Sequence, residues 1–467
     1  MYELDLNRPL HAHFMGIGGI SMSGIAELFI DKGFTVSGSD LTKSEITERL
    51  ENLGAKVFYE QEASNITSDI ELVIYTAAIH DDNPEFIAVK KAGIPMLDRA
   101  GCLGQIMSHY KNSVAVAGTH GKTTTTSMLS QVYLEAGLDP TISVGGILHS
   151  INGNMRIGNS ENFIMEACEY ADSFLKFTPT TEIILNIEPE HLDYFGDFET
   201  ERASFRKFIN ILPETGLLII NSEIEGLTAL INDVNVKTVT YGHFKEGASC
   251  PDYSAVNISY NGRGFSSYDL IIRGENKGRV ELSVTGEHNV YNSLAVLAAS
   301  LELSETGKII SLKSAVKALK NFTGTDRRFQ YKGKFRGCTV VDDYAHHPTE
   351  IAATIKAARK TEHKRLIIAF QPHLYSRTKS FLTEFAEVLS KADIVVLADI
   401  YAAREVDPGD ISSLDIKNLL EKKGCEAYYF KTFKEIENFL INNFSTGDLL
   451  ITMGAGNIVK VGENILK

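Results

Sequence analysis

Residues 113–129 read SVAVAGTHGKTTTTSML: a short apolar run, a turn bounded by Gly118 and Gly121, and the start of a helical stretch. A strand that passes through a glycine turn into a helix aims backbone N–H groups and the positive end of the helix at one point, which suits phosphate. Lys122 stands where it would reach the β and γ phosphates of a nucleotide, and Thr123 where its hydroxyl would sit on Mg2+. Gly118, Thr119, His120, Gly121, Lys122, Thr123 and Thr124 are therefore the expected ATP-binding loop. The spacing departs from G-x-x-x-x-G-K-[ST]: Val116 occupies the first glycine position and Gly118 comes two residues later, so a shortened loop is expected. The other reading of these residues is a Gly/Thr-rich turn with a solvated lysine.

Outward from this loop the same rhythm of β-branched run, glycine turn and amphipathic stretch recurs, which predicts an α/β protein. The block 1–108 has strands expected at His11–Met15, Phe34–Ser37, Lys56–Tyr59 and Leu72–Tyr75. The block 109–323 has them at Ser113–Ala117, Phe163–Met165, Ile183–Asn186 and Leu217–Asn221, then a hairpin turning at Gly274–Gly278 and a helix Asn289–Leu301. The block 324–467 repeats strand then loop at Thr339–Val341, Leu366–Phe370, Ile394–Ala398 and Leu449–Thr452. The expectation is three α/β domains: Rossmann-like, P-loop ATPase-like on a parallel or mixed sheet, and again Rossmann-like.

Composition removes several classes of function. Among 467 residues, 60 acidic against 46 basic side chains give a net charge of −14 with no long single-sign block, which argues against gripping nucleic acid or an anionic membrane. The five cysteines (Cys102, Cys168, Cys250, Cys338, Cys425) form no CxxC pair, so neither a disulfide framework nor a structural zinc site is expected, and a reducing cytoplasm fits. The N-terminus lacks the basic region of a signal peptide, and no apolar run reaches about 18 residues, so neither secretion nor membrane insertion is expected.

Parallel sheets present ligands on the loops that leave the C-terminal ends of their strands. Glu166 follows the strand NFIM and His191 follows EIILNI through Glu188-Pro-Glu190, which puts both on the edge that carries Lys122 and makes them, with Thr123, candidate metal ligands. In the first block Gly16, Gly18, Gly19 and Ser21 follow a strand and open a helix, and Ser39 and Asp40 end the next strand; on spacing alone this suits NAD, a UDP group or a tight turn. In the third block, Asp343-Tyr344-Ala345-His346-His347, Gln371-Pro372-His373 with Arg377, and Gly454-Ala455-Gly456 gather at strand ends, where substrate or phosphate contacts are favoured over zinc.

The chain resembles the Mur ligase family along essentially its whole length. The segments that carry the resemblance are, in family order, HFMGIGGISMSGIAEL (13–28) with the later SGSD, AGTHGKTTTTSML (117–129), EACEYADSFL (166–175), NIEPEHLDYFGDFE (186–199), GEHNVYNSLA (286–295), DDYAHHPTEI (342–351), FQPHLYSRT (370–378) and MGAGNI (453–458). The resemblance implies that ATP and Mg2+ drive the joining of L-alanine to the lactyl carboxylate of UDP-N-acetylmuramate through an acyl phosphate. It gives Gly16, Gly18, Gly19, Ser21, Ser39 and Asp40 to the UDP-sugar, which disfavours NAD, and gives Asn289, Asn292, Arg327 and Asp343 to ATP. Tyr344, His346, His373 and Arg377 fall to the incoming amino acid and the reacting carboxylate, with Lys122, His191, His346 and Arg377 the expected catalytic residues. It further implies a third domain that closes over ATP, and a monomer or weak homodimer. One departure is the segment many relatives write EADESD, here EACEYAD, with Cys168 in place of an aspartate. Several sister ligases carry a carbamylated lysine some fifteen residues after the metal histidine, and Arg206 and Lys207 lie near that spacing.

The competing readings are a Mur-type ligase for another amino acid or a peptide, an NAD-dependent oxidoreductase that leaves GTHGKT unexplained, and a non-catalytic nucleotide sensor, against which the intact Lys122, Glu166, His191 and Asp343 speak.

Overall fold

A computed structural model describes residues 2–244, 250–303, 310–403 and 405–467. The described chain gathers into two compact units, Met1–Ser254 with Leu294–Ala315, and Ala255–Ser293 with Val316–Lys467.

The first unit opens with a five-stranded parallel sheet in the order Lys56–Phe58, Thr35–Ser39, His11–Met15, Leu72–Tyr75, Met96–Asp98. This doubly wound order reverses beside His11–Met15, where the glycine loop leaves the sheet, and such a switch point is where open α/β sheets bind ligands. The helix Ile20–Asp31 follows the loop and buries Met22, Ile25, Leu28 and Phe29 against the sheet.

The same unit holds a second run of strands, in the order Lys237–His243, Leu217–Asn221, Thr181–Ile184, Asn112–Ala117, Asn162–Glu166, Thr141–Leu148, Gly153–Arg156. All pair in parallel except the last, which runs antiparallel. The strand Asn112–Ala117 is buried on both faces from Ser113 onward, as a central parallel strand must be, and its apolar run VAVA reflects that. Its neighbours are the strands leading to Glu166 and to His191, so all three loops emerge on one edge, as their positions along the sequence require.

The second unit contains a six-stranded sheet, Gln330–Phe335, Cys338–Asp343, Leu449–Met453, Leu366–Phe370, Ile394–Leu397, Glu426–Tyr429, parallel except at the first strand. Apolar clusters cover it on both faces. The expected hairpin is there, with a different turn. Ile272 pairs with Glu275, so the reversal is the two-residue turn Arg273-Gly274, with φ of 47° and 83°, rather than Gly274–Gly278. Gly278, at φ 106°, lies at the register shift between Leu270 and Ile271, so the second glycine serves a bulge.

Candidate active site

Gly118 adopts φ 136° and Gly121 φ 87°, conformations that glycine alone takes at little cost, and the helix Lys122–Glu135 starts directly after them. A side chain at Gly118 would meet the backbone of Asn186 at 3.0 Å. That closeness reflects a second loop braced against the first: Asn186 Oδ1 accepts the His120 N–H at 2.7 Å, Asn186 Nδ2 donates to the His120 carbonyl at 3.0 Å, and the Glu188 N–H donates to Thr119 Oγ1 at 2.9 Å. The loop is thus held from outside before any phosphate arrives.

Lys122 Nζ donates to the carbonyls of Gly118 and Thr119 at 2.6 and 3.0 Å and to both oxygens of Glu169 at 3.0 and 2.9 Å. Burial works against its charge, but the Glu169 carboxylate overcomes it and holds the ammonium pKa above the usual lysine range. Glu169, fully buried, also lies 3.7 Å from His191 Nε2, so Lys122 and His191 meet on one carboxylate. The turn presenting Glu169 is strained: Ala171 and Asp172 both have positive φ, at 55° and 53°. Asp172 is pinned by the hydroxyls of Ser204 and Tyr194, which holds that turn in place. Burial, reinforced by Glu169, pushes the neighbouring Cys168 thiol up to about 11, so it adds no charge beside Lys122 and Glu169.

Glu166 ends its strand with Oε1 accepting the Thr123 hydroxyl at 3.1 Å and Oε2 accepting the Gly145 N–H at 2.8 Å. Among the described residues no three His, Cys, Asp or Glu side chains form a ready-made metal cage. A hydroxyl and a carboxylate beside a phosphate loop fit Mg2+, which takes few protein ligands and fills the rest with phosphate and water. Behind His191 lies a further buried acid, Glu201, pushed up to about 8 by burial, which accepts the Glu190 N–H at 3.1 Å.

In the glycine loop of the first sheet, the N–H groups of Gly16 and Ile17 donate to the Ser39 carbonyl, and Gly18 N–H donates to Asp40 Oδ2 at 2.9 Å. Ser39 is fully buried and its hydroxyl donates to the buried Glu85 at 2.5 Å, so Ser39 and Asp40 both shape this loop. Ser21 is the second residue of the helix and accepts a hydrogen bond from Arg99.

In the second unit, Asn289 and Asn292 share one face of the helix His288–Glu302 and are bonded to each other at 2.9 Å. Asp343 accepts the N–H groups of Phe329 and Ala345, each at 2.8 Å, while burial, opposed by Arg328, pushes its carboxyl up to about 6. Arg327 binds the buried Asp342 and the carbonyls of Gly454 and Gly456, and its guanidinium lies 4.8 Å from the Tyr344 ring. His346 and His373 pack edge to face at 5.7 Å, and Arg377 reaches His373 Nδ1 at 3.2 Å. His347 caps the helix Pro348–Ala358, a structural role.

Three family models cover most of the chain: "Mur ligase family, catalytic domain" over 11–111, "Mur ligase middle domain" over 116–300 and "Mur ligase, glutamate ligase domain" over 327–456. The chain belongs to the Mur ligase family. This Mur ligase is 55% identical over 467 residues to the UDP-N-acetylmuramate–L-alanine ligase of Agathobacter rectalis, and 54% identical to that of Lachnoclostridium phytofermentans, each covered completely. The solved structure of UDP-N-acetylmuramate-alanine ligase MurC from Thermotoga maritima is 30% identical, with TM-score 0.81 and 98% of both chains covered. A murein peptide ligase from Psychrobacter arcticus, 23% identical with TM-score 0.69, shares the fold.

The sequence reading missed two residues that hold the phosphate loop and its lysine. Asn186 was visible only as the end of an apolar strand, and Glu169 only as a second acid in EACEYAD. The spacing of Arg206 and Lys207 leads to no site residue here, since Arg206 pairs with Asp233 and Lys207 is exposed.

Proposed function

We propose that this Mur ligase joins L-alanine to the lactyl carboxylate of UDP-N-acetylmuramate, with cleavage of ATP to ADP and phosphate, in the cytoplasm. The observation that carries the reading is the phosphate loop braced by Asn186, with Lys122 beside Thr123 and Glu166, in a chain at least half identical to named alanine ligases. The five unpaired cysteines agree with a reducing compartment, and no helix among the described residues is long and apolar enough to cross a membrane.

In this reading residues 1–108 hold the UDP-sugar, 109–323 hold ATP, and 324–467 complete the ATP site and receive the amino acid. Gly118 to Thr124 enclose the phosphates, and Lys122 exchanges Glu169 for phosphate oxygen. Thr123, Glu166 and His191 would hold Mg2+, which neutralises phosphate charge when bound. A carboxylate and a polyphosphate repel each other, so Lys122 must offset charge while the loop keeps nucleophile and phosphorus in line. Asn289, Asn292, Arg327 and Asp343 are assigned to ATP in this reading. The carboxylate oxygen attacks the γ phosphorus and ADP leaves; the alanine amine then attacks the acyl carbon and phosphate leaves with that oxygen. His346, His373, Arg377 and Tyr344 receive the amino acid, where Arg377 supplies the charge its carboxylate requires.

The test is phosphate release with ATP and Mg2+ across L-alanine, glycine, L-serine, D-glutamate and a tripeptide, with and without UDP-N-acetylmuramate. Release that needs both the UDP-sugar and L-alanine supports the reading; release with another amine moves the chain to a sister ligase activity.

A further inference from the structure

Two turns beside the phosphate loop hold left-handed backbone without a glycine: His191 at φ 54°, and Ala171 with Asp172 at 55° and 53°. Such residues cost energy and persist only where their surroundings over-determine them. The turns meet where His191 Nε2 lies 3.7 Å from the Glu169 carboxylate that binds Lys122. Whatever fixes the two turns therefore fixes the spacing of His191 and Lys122.

One helix grips both. Along Phe198–Ile209, Glu201 and Ser204 stand three residues apart on one face, and both are buried. The Ser204 hydroxyl donates to Asp172 Oδ1, inside the turn that follows Glu169. Glu201 Oε2 accepts the N–H of Glu190, the residue before His191, at 3.1 Å. The loop is tied at its start, where the Glu188 N–H donates to Thr119 Oγ1, and at its end, where the N–H groups of Tyr194 and Phe195 donate to the His191 carbonyl. Pro189 has no N–H, so the bond to Glu201 is made midway between these anchors. As a contribution to the core, Glu201 is a poor choice. It is fully buried, its Oε1 has no hydrogen-bond partner, and burial, with Glu169 and Glu190 adding to it, pushes the carboxyl up to about 8. An apolar side chain of that volume would cost the fold less, so the carboxyl is explained by the bond it makes.

We infer that Glu201 is a positioning residue for His191: through the Glu190 N–H it holds the left-handed turn on the helix that also grips the Glu169 turn, and so sets where an ion on His191 stands. The inference rests on the reading of His191 as a Mg2+ ligand of the ATP site. Glu201 acts here by offering an accepting oxygen, neither by its charge nor by touching the ion.

Calorimetry on the full-length protein with AMP-PNP, a nonhydrolysable ATP analogue, in Mg2+ and in EDTA tests it, for the wild type, Glu201→Leu and Glu201→Gln. Mg2+ is expected to tighten AMP-PNP on the wild type. Glu201→Leu should lose about tenfold or more of the affinity in Mg2+, the scale on which groups behind a metal ligand act, and bind as the wild type does in EDTA. Glu201→Gln keeps an oxygen for the Glu190 N–H and should retain most of the gain from Mg2+. Thermal melts are expected to show Glu201→Leu no less stable than the wild type, because it removes a buried carboxyl with an unpaired oxygen. Equal loss in Mg2+ and in EDTA, or affinity lost in step with a lower melting temperature, would make Glu201 a structural residue. Wild-type affinity in Glu201→Leu, or a Glu201→Gln as weak as Glu201→Leu, would equally overturn the inference. A wild type that binds AMP-PNP no more tightly in Mg2+ than in EDTA overturns the reading of His191 and the inference together.

Discussion

The ammonium of Lys122 is bonded to both carboxylate oxygens of the fully buried Glu169, at 3.0 and 2.9 Å. The group expected to meet phosphate is thus paired with a carboxylate of the protein itself. Phosphate must compete with Glu169 for it. Lys122→Ala leaves a buried carboxylate without its cation, which is expected to cost about 3 to 5 kcal/mol of stability and to lower turnover by about a hundredfold or more. Lys122→Ala combined with Glu169→Ala should recover most of the stability and none of the turnover. Urea denaturation and steady-state kinetics on both variants check this; turnover regained in the double variant would remove Lys122 from the chemistry.

Asp343 sets a pH limit. Burial pushes its carboxyl up to about 6, while the N–H groups of Phe329 and Ala345 are arranged to receive a carboxylate. If the ionised form serves ATP, kcat/KM for ATP should fall below about pH 6, and Asp343→Asn should lower activity and flatten that limb. A profile whose acid limb is the same in Asp343→Asn would assign the limb to another group. Stability carries the opposite sign. The folded pKa lies above the ordinary value of 3.8, so Asp343 favours folding at low pH, and this contribution is lost as pH rises from about 4 through 6.

Glu182 lies in the strand Thr181–Ile184, fully buried, with neither carboxylate oxygen hydrogen-bonded. Burial raises its pKa well above 4.5, so the folded chain holds this proton to higher pH than the unfolded chain does. Folded protein holds a proton that unfolded protein releases above about pH 4.5, so stability from this site falls as pH rises. Glu182→Leu is expected to stabilise by about 1 to 3 kcal/mol at pH 8 and less at pH 5. Thermal melts at the two pH values measure it, and a destabilised Glu182→Leu at pH 8 would mean that the carboxyl has a partner.

Legibility followed burial and spacing. The central parallel strands, such as Asn112–Ala117 and Leu366–Phe370, were readable because two-sided burial makes them continuous apolar runs. The edge strands Gly153–Arg156 and Glu426–Tyr429 were not, since exposure leaves their composition mixed. The hairpin turn was misplaced because two glycines compete for it, and only pairing register decides which one turns and which one bulges. Lys122, Thr123 and Glu166 were legible because strand, loop and helix fix them within a few residues. Asn186 and Glu169 act across 66 and 47 residues of sequence separation, which spacing cannot report.

In the proposed reaction a carboxylate oxygen is carried to phosphate during ligation. It is tested most directly with UDP-N-acetylmuramate labelled with 18O in the lactyl carboxylate, supplied with ATP, Mg2+ and L-alanine, and mass analysis of both products. The expected products are the alanyl amide and phosphate carrying one 18O atom. Amide formed with unlabelled phosphate would contradict the acyl phosphate, and no amide from L-alanine would contradict the ligase itself.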